Sequence, residues 1–294
     1  RGLGDVYKRQ VFLKQGEYIS GKESVRSDSL TTKIKESLVP KMTLTFLGTG
    51  TSNGVPVIGC NCKVCKSKDP RDNRLRTSAL LETGHTRVLI DCGPDFRQQI
   101  LPLPFRKIDA LLVTHIHYDH VGGIDDLRPY CALGDIDIYA NEDTCAGLRH
   151  NFPYCFTEKL YPGVPKLNLH AVLPHSHFQI GELDVVPIVV VHDKLPILGF
   201  RIGKLAYITD MKTIGDAELT YLKGVETLVV NGLRWERSHH SHQLIPEAIK
   251  FSKRIGAQRT YLTHLTHQVG LHKEAQQRLP EGVFLACDGL KIVI

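Results

Sequence analysis

The sequence predicts an α/β fold in which sheets are covered by helices. Short apolar strands recur from Met42 to Ile294, and amphipathic helical stretches fall between only some of them. Strands dominate, and no fixed-period repeat is visible along the 294 residues.

Taken in chain order, residues 1–41 are polar and weakly periodic. They are expected to be an N-terminal extension, disordered or foreign to the native protein, because the leader RGLGDVYKRQ shows no packing pattern. Met42 is one of only two methionines and the candidate native start. From there MTLTFLGTG alternates like a strand and ends in a Gly/Thr/Ser-rich loop. Strands are expected at Ser78–Glu82 and Arg87–Asp91, then a helix from Asp95, with Pro94 as its punctuation. ALLVTH, Ala110–His115, reads as a buried strand by its unbroken apolar run. DVVPIVVVH, ILGFRIG, LAYITD, TLVVNGL, RTYLTH and KIVI follow as strands. Helices are expected near Gly215–Leu222, Ile245–Ile255 and His272–Leu279.

Composition narrows the class. The apolar fraction of 42% is ordinary for a globular protein, and no run approaches the roughly 18 apolar residues that cross a bilayer. No export signal is visible, so a cytoplasmic location without a membrane partner is expected. The net charge of +6 permits an anionic substrate, but the basic residues are scattered and nucleic acid is not the favoured partner. Eight cysteines in that setting imply reduced thiols; Cys92, Cys131, Cys145, Cys155 and Cys287 stand singly in apolar contexts as ordinary small side chains.

Fifteen histidines are the larger anomaly. In THIHYDHVGG, His115, His117, Asp119 and His120 follow an apolar strand directly. Residues two apart in extended backbone point the same way, so His115 and His117 can share one metal, and a turn beyond them lets Asp119 and His120 reach a second. Gly122 and Gly123 would permit a tight entry into the next helix. Three imidazoles and a carboxylate so placed are metal-ligand chemistry, and an all-His/Asp set suits Mn²⁺, Zn²⁺ or Fe²⁺.

A second cluster, GCNCKVC, puts Cys60, Cys62 and Cys65 in one tight loop. A disulfide would strand the third thiol. Three thiolates fit structural zinc, and a closed tetrahedral site needs one more N or S donor. His267, three residues after His264 in THLTHQ, is the expected fourth ligand.

The HxHxDH text of residues 115–120 resembles the signature of the metallo-β-lactamase superfamily. The resemblance implies an αββα sandwich over residues 42–294 with one or two metals at the edge between its sheets, and further ligands downstream. The sequence offers them in the superfamily's order, each ending an apolar strand: His192 in VVVH, Asp210 in YITD and His264 in YLTH. By the resemblance, His115, His117 and His192 would hold one ion, Asp119, His120 and His264 the other, with Asp210 bridging. His150, His170, His175 and His177 compete for the middle position. His192 is preferred because GFRIGKLAYITD after it is similar to the superfamily's text between its third and fourth metal motifs.

Within the superfamily, TFLGTGTSNGVP, DCGPDFRQQ and the cysteine cluster are similar to the family of the phosphoribosyl 1,2-cyclic phosphate phosphodiesterase (PhnP-like). That likeness implies a metal-dependent phosphoric diester hydrolase. Two ions sharing a carboxylate and a water would make a nucleophile at neutral pH and clamp the phosphate oxygens of a small cyclic or nucleotide-like phosphodiester. The cofactors implied are two divalent ions, Mn or Zn, and one structural Zn. Candidate catalytic residues are Asp119 and His242. The resemblance places the family's non-ligand histidine at His242, while His239 and His240 stand beside it as competitors. Arg234 and Arg237 are candidates for a phosphate contact, and Asp95 for a helix cap or a partner of the ligands.

Two other readings remain at this stage. A tRNA 3′-processing-type ribonuclease uses a similar metal set, but no Gly/Pro-rich arm for gripping tRNA is visible. A non-catalytic, carrier-like relative from cofactor biosynthesis would keep the cysteine site and alter the catalytic motifs, whereas here the whole set is intact. The sequence is compatible with a homodimer.

Overall fold

The computed structural model describes residues 41–157 and 163–294. The expectation for residues 1–41 therefore lies, Lys41 apart, outside the described residues. The strands among them are β1 (Thr43–Gly48), β2 (Ser78–Glu82), β3 (Arg87–Ile90), β4 (Ala110–Leu112), β5 (Ile136–Ala140), β6 (Leu167–Ala171) and β7 (Phe178–Ile180). Then come β8 (Leu183–His192), β9 (Leu195–Ile202), β10 (Leu205–Ile208), β11 (Thr227–Asn231), β12 (Arg259–Thr263), β13 (Val283–Leu285) and β14 (Lys291–Val293). They form two seven-stranded sheets, ordered β14-β1-β2-β3-β4-β5-β6 and β13-β12-β11-β10-β9-β8-β7.

Each sheet is mixed. β1, β2 and β3 pair antiparallel, and from β3 to β6 the pairing is parallel. In the other sheet β7 to β10 are antiparallel and β10 to β13 parallel. Parallel strands need both faces covered, which is why their text reads as continuous apolar runs rather than as alternation. In β3, Val88 and Ile90 face the core between the sheets, while Leu89 packs with Phe96, Ile100 and Leu148 in an outer layer. In β11, Val229 faces inward, while Leu228 and Val230 meet Ile245, Ala248 and Phe251 of the helix Ile245–Ile255. The result is the helix–sheet–sheet–helix sandwich that the sequence predicts.

Several elements differ from expectation. β4 stops at Leu112; Val113 N still donates to Tyr139 O of β5 at 3.0 Å, but Thr114 leaves the ladder, its N donating to the Asp91 carboxylate at 2.8 Å and its O accepting from Leu198 N of the opposite sheet at 3.0 Å. The helix after Asp95 is only Phe96–Ile100, and Asp95 does not cap it. Its carboxylate instead accepts from Arg76 N at 2.8 Å and pairs with the Arg76 guanidinium at 3.0 Å. The stretch near Gly215 winds as a 3₁₀ helix, Asp216–Leu222, whose Glu218 is tied to Val189 N at 3.0 Å. The helix begun at His272 ends at Gln276. β5, β6, β7, β13 and the helix Glu142–Asn151 were not anticipated. Among the described residues, no helix is long and apolar enough to cross a membrane.

The C-terminal end of β3 is fastened to the HxHxDH loop. Cys92 N donates to His120 O at 2.7 Å, and Gly123 N to Cys92 O at 2.9 Å. Gly122 and Gly123 have ordinary φ values of −62° and −100°, so conformational freedom is not what Gly123 supplies. It supplies space: a Cβ on Gly123 would lie 2.1 Å from Gly93 O, and one on Gly93 would lie 2.2 Å from Asp119 O. Gly93→Ala must therefore push the backbone under Asp119 and is expected to lower stability by about 1–3 kcal/mol or more. Urea denaturation checks this, and an unchanged midpoint would mean that the loop is not held tightly.

Candidate metal centre

The metal-type side chains gather where strands end. His115 and His117 follow β4, His192 closes β8, Asp210 lies two residues past β10, and His264 directly follows β12. Asp91, Asp210 and His264 have left-handed φ values of 58°, 58° and 53°. Non-glycine residues seldom adopt that conformation, and it turns each side chain out of its strand's ladder and into a common space. Asp119 and His120 come from the single-turn helix Tyr118–Val121.

Ligand atoms fall into close sets: His115, His117 and His192; Asp119, His120 and His264; and His115, His120 and Asp210. A fourth set, His192, Asp210 and His242, adjoins them, and the Asp210 carboxylate lies among these histidines. Its Oδ2 lies 3.2 Å from His264 Nε2, 3.5 Å from His120 Nε2 and 3.9 Å from His115 Nε2. Asp119 Oδ2 lies 3.4 Å from His120 Nε2 and 3.7 Å from His264 Nε2. All seven residues expected from the sequence are thus brought together. His150 is exposed on its helix, while His170, His175 and His177 pair with Asp137, Glu218 and Asp184 outside the cluster.

The outer nitrogens are fixed by partners. His192 Nδ1 donates to Asp210 O at 2.9 Å and to Ser241 O at 3.0 Å, which leaves Nε2 for the cluster. His120 Nδ1 donates to the Asp91 carboxylate at 2.7 Å, and Thr114 Oγ1 donates to that carboxylate at 2.9 Å. A carboxylate behind a ligating imidazole sets its tautomer and raises its basicity. Asp91 was missed as a site residue, although VLID ends in the same way as YITD: an acid closing an apolar strand.

By contrast, several inward atoms have no partners, although His115 Nε2 lies 3.0 Å from His117 Nδ1. His120 Nε2, both nitrogens of His264 and His242 Nδ1 are buried without a hydrogen bond. Burying polar atoms unpaired is costly, and this donor set is one that divalent ions would join. Charge in the cluster is poised the same way. Burial works to raise the Asp210 carboxyl, but His264 and His120 overcome it and hold it well below the usual range. Burial works to lower His120, but Asp210, Asp91 and Asp119 overcome it and favour its cation. A divalent ion would take the place of that proton.

His242 also reaches the cluster, with Nδ1 4.0 Å from Asp210 Oδ2, and burial pushes its pKa down to about 2. His239 lines the same cavity, of about 310 Å³, while His240 is exposed and stacks on His239. The competition among the three is thus decided in position: only His242 stands against the ligand atoms.

Beside this centre, the three thiols converge on His267. Its Nδ1 lies 3.3 Å from Cys60 Sγ and 3.4 Å from both Cys62 Sγ and Cys65 Sγ. Around a tetrahedral zinc, sulfur and nitrogen would be on the order of 3.5 Å apart, so the four donors fit that ion. The Cys65 N–H, 3.4 Å from Cys62 Sγ, helps draw the Cys62 thiol down to about 6. Among the described residues all eight cysteines are free thiols.

The profile described as Beta-lactamase superfamily domain matches residues 86–265, from β3 to just past His264. The chain belongs to the metallo-β-lactamase superfamily. A diphosphatase of the PhnP family, known from a crystal structure, is 39% identical, with a TM-score of 0.80 over 86% of this chain and 97% of its own. An octanoyltransferase of Porphyromonas gingivalis is 45% identical over 250 residues, which is 85% of this chain and 51% of the relative. A ribonuclease Z of Nostoc sp. is 27% identical over 169 residues, or 55% of this chain and 47% of the relative. The chain therefore spans about half the length of these two curated relatives.

Two substitutions separate the two ligand groups. Cys62→Ala is expected to lower total metal by one ion per chain, and Asp210→Asn to deplete the histidine cluster while leaving the thiol-bound ion. Metal analysis of the purified proteins reads both, and metal content unchanged from wild type in Cys62→Ala would remove the zinc assignment.

Proposed function

We propose that the chain is a metal-dependent phosphodiesterase acting on a small cyclic or nucleotide-like phosphodiester, with two divalent ions (Mn or Zn) in the histidine cluster and a structural zinc in the Cys₃His group. The observation that carries this is Asp210: one buried carboxylate within 4 Å of His115, His120 and His264, so placed as to bridge two ligand sets. Likeness to a PhnP-family diphosphatase and to a ribonuclease Z supports phosphoester chemistry. The name octanoyltransferase describes a relative of which about half lies outside the match.

His115, His117 and His192 would hold one ion, and Asp119, His120 and His264 the other. Two such ions supply, when bound, a water-derived nucleophile at neutral pH and positive charge for the phosphate oxygens. The chain does the rest. Asp91 and the Ser241 carbonyl hold the rings of His120 and His192 so that their Nε2 atoms face the cluster. Asp119, held ionised by His120 and His264, can orient the attacking water. His242 stands at the cavity wall to deliver a proton to the ester oxygen as its bond to phosphorus breaks. Burial keeps that imidazole neutral in the free protein, and a phosphate anion beside it would favour the cation, the form that acts as an acid.

With normal metal content, His242→Ala is expected to lower kcat on a 2′,3′-cyclic nucleotide about 10²–10⁴-fold. It should affect bis(p-nitrophenyl) phosphate much less, since its leaving group needs little acid. Equal losses on both substrates would move His242 from proton donor to phosphate contact. Failure of the wild type to cleave any small diester, together with salt-sensitive tRNA binding and cleavage, would favour the ribonuclease reading.

A further inference from the structure

The cavity over the metal cluster does not end there. Arg234 and Gln268 belong both to its wall and to that of a second chamber, of about 440 Å³, formed with Trp235, Glu236, Arg237 and Arg278. None of the four added residues is needed to hold an ion or to move a proton.

The chamber is built around planes. The Trp235 indole is held by its Nε1 donating to Val269 O at 3.0 Å. The Arg278 guanidinium lies over it, with Cζ 3.9 Å from the ring centroid. At the junction, Arg234 is fixed by donating through Nη1 to Gln268 Oε1 at 2.7 Å and through Nε to Arg237 O at 3.0 Å. Arg237 is held with a left-handed φ of 62°, which few arginines adopt. Two further guanidiniums, of Arg234 and Arg237, and the Glu236 carboxylate thus surround the Arg278–Trp235 pair, and Arg234 and Gln268 join its wall to that of the cavity over the histidine cluster. A purely anionic ligand would need the charges but not the plane. A flat heteroaromatic ring would use both, stacking on the guanidinium and accepting from arginine N–H groups at its edge.

We propose that this chamber is a nucleobase platform, so that the preferred substrates of the phosphodiesterase are nucleotides whose phosphodiester sits at the metal cluster while the base lies on Arg278 and Trp235. This rests on the function proposed above, but it can fail separately. Trp235 is the only tryptophan in the chain, so its emission reads occupancy of the chamber directly.

With the metal-loaded protein, guanosine 3′-monophosphate is expected to change Trp235 fluorescence with a Kd about tenfold or more below that of ribose 5-phosphate. The kcat/KM for guanosine 2′,3′-cyclic phosphate should exceed that for the base-free methyl riboside cyclic phosphate by a similar factor. Arg278→Ala should collapse both preferences, and Arg278→Lys, which keeps the charge and loses the plane, should do the same. Equal affinity for nucleotide and ribose phosphate would overturn the platform and leave an anion site, as would preferences untouched by both variants. If neither cyclic ester is cleaved, the phosphodiesterase reading falls, and the fluorescence titration alone decides for or against the base site.

Discussion

A buried carboxylate that no cation of the chain neutralises fully governs the architecture. Asp210 is 2% exposed, and the groups nearest its Oδ2 are imidazoles of His264, His120, His115 and His242, at 3.2–4.0 Å. Taking a carboxylate out of water costs several kcal/mol unless charge of opposite sign meets it. Histidine is a weak answer near neutral pH, because its own burial disfavours the cation, as His115 shows. The free protein therefore leans on protonated His120. Divalent ions resolve the same conflict more completely, and this is why the orphaned nitrogens and the stranded charge belong to one explanation.

That constraint fixes what the fold must do. Ligands arrive from both sheets and from separate strands, so each must stop its ladder at the same edge of the sandwich. Asp91, Asp210 and His264 do so through left-handed backbone, a local strain that the surrounding parallel strands hold in place. β4 does so by ending three residues early and giving Thr114 to Asp91. The glycines at 93 and 123 complete the arrangement by removing the atoms that would keep β3 and the Asp119 turn apart.

The residues of the cluster were legible partly from their local text and partly from the resemblance, which pointed to His192, Asp210 and His264 as the downstream members. A polar residue that closes an apolar strand has no packing reason to be there, and HxHxDH compresses four such residues into six positions. The same logic, applied to VLID, points to Asp91, whose carboxylate holds His120 from behind rather than facing the cluster. Asp95 misled in the opposite direction: a carboxylate before a helix reads as a cap, yet Arg76, nineteen residues away, takes it. The edge strand β6 is short and largely exposed and carries little periodic signal, whereas the alternation of IDIYA in β5 could have been read. Least legible was the stack of Arg278 on Trp235, because residues so distant in sequence meet only through the packing of two loops.

One short loop joins these parts. Leu265 N donates to Thr49 O at 2.9 Å, anchoring the segment to the end of β1, and Thr266 N and Oγ1 both donate to Leu233 O, at 3.1 and 2.9 Å. Held this way, five consecutive residues send His264 into the metal cluster, His267 to the three thiols and Gln268 to Arg234 at the mouth of the second chamber. The thiol group, a candidate metal site, is therefore also placed as a tether. It pins the loop after β1 to the loop after β12, and every displacement of His267 is shared with His264 on one side and Gln268 on the other. With His264 on left-handed backbone just past a strand, an ion held by the Cys₃His group would stiffen the loop that carries it without facing the histidine cluster.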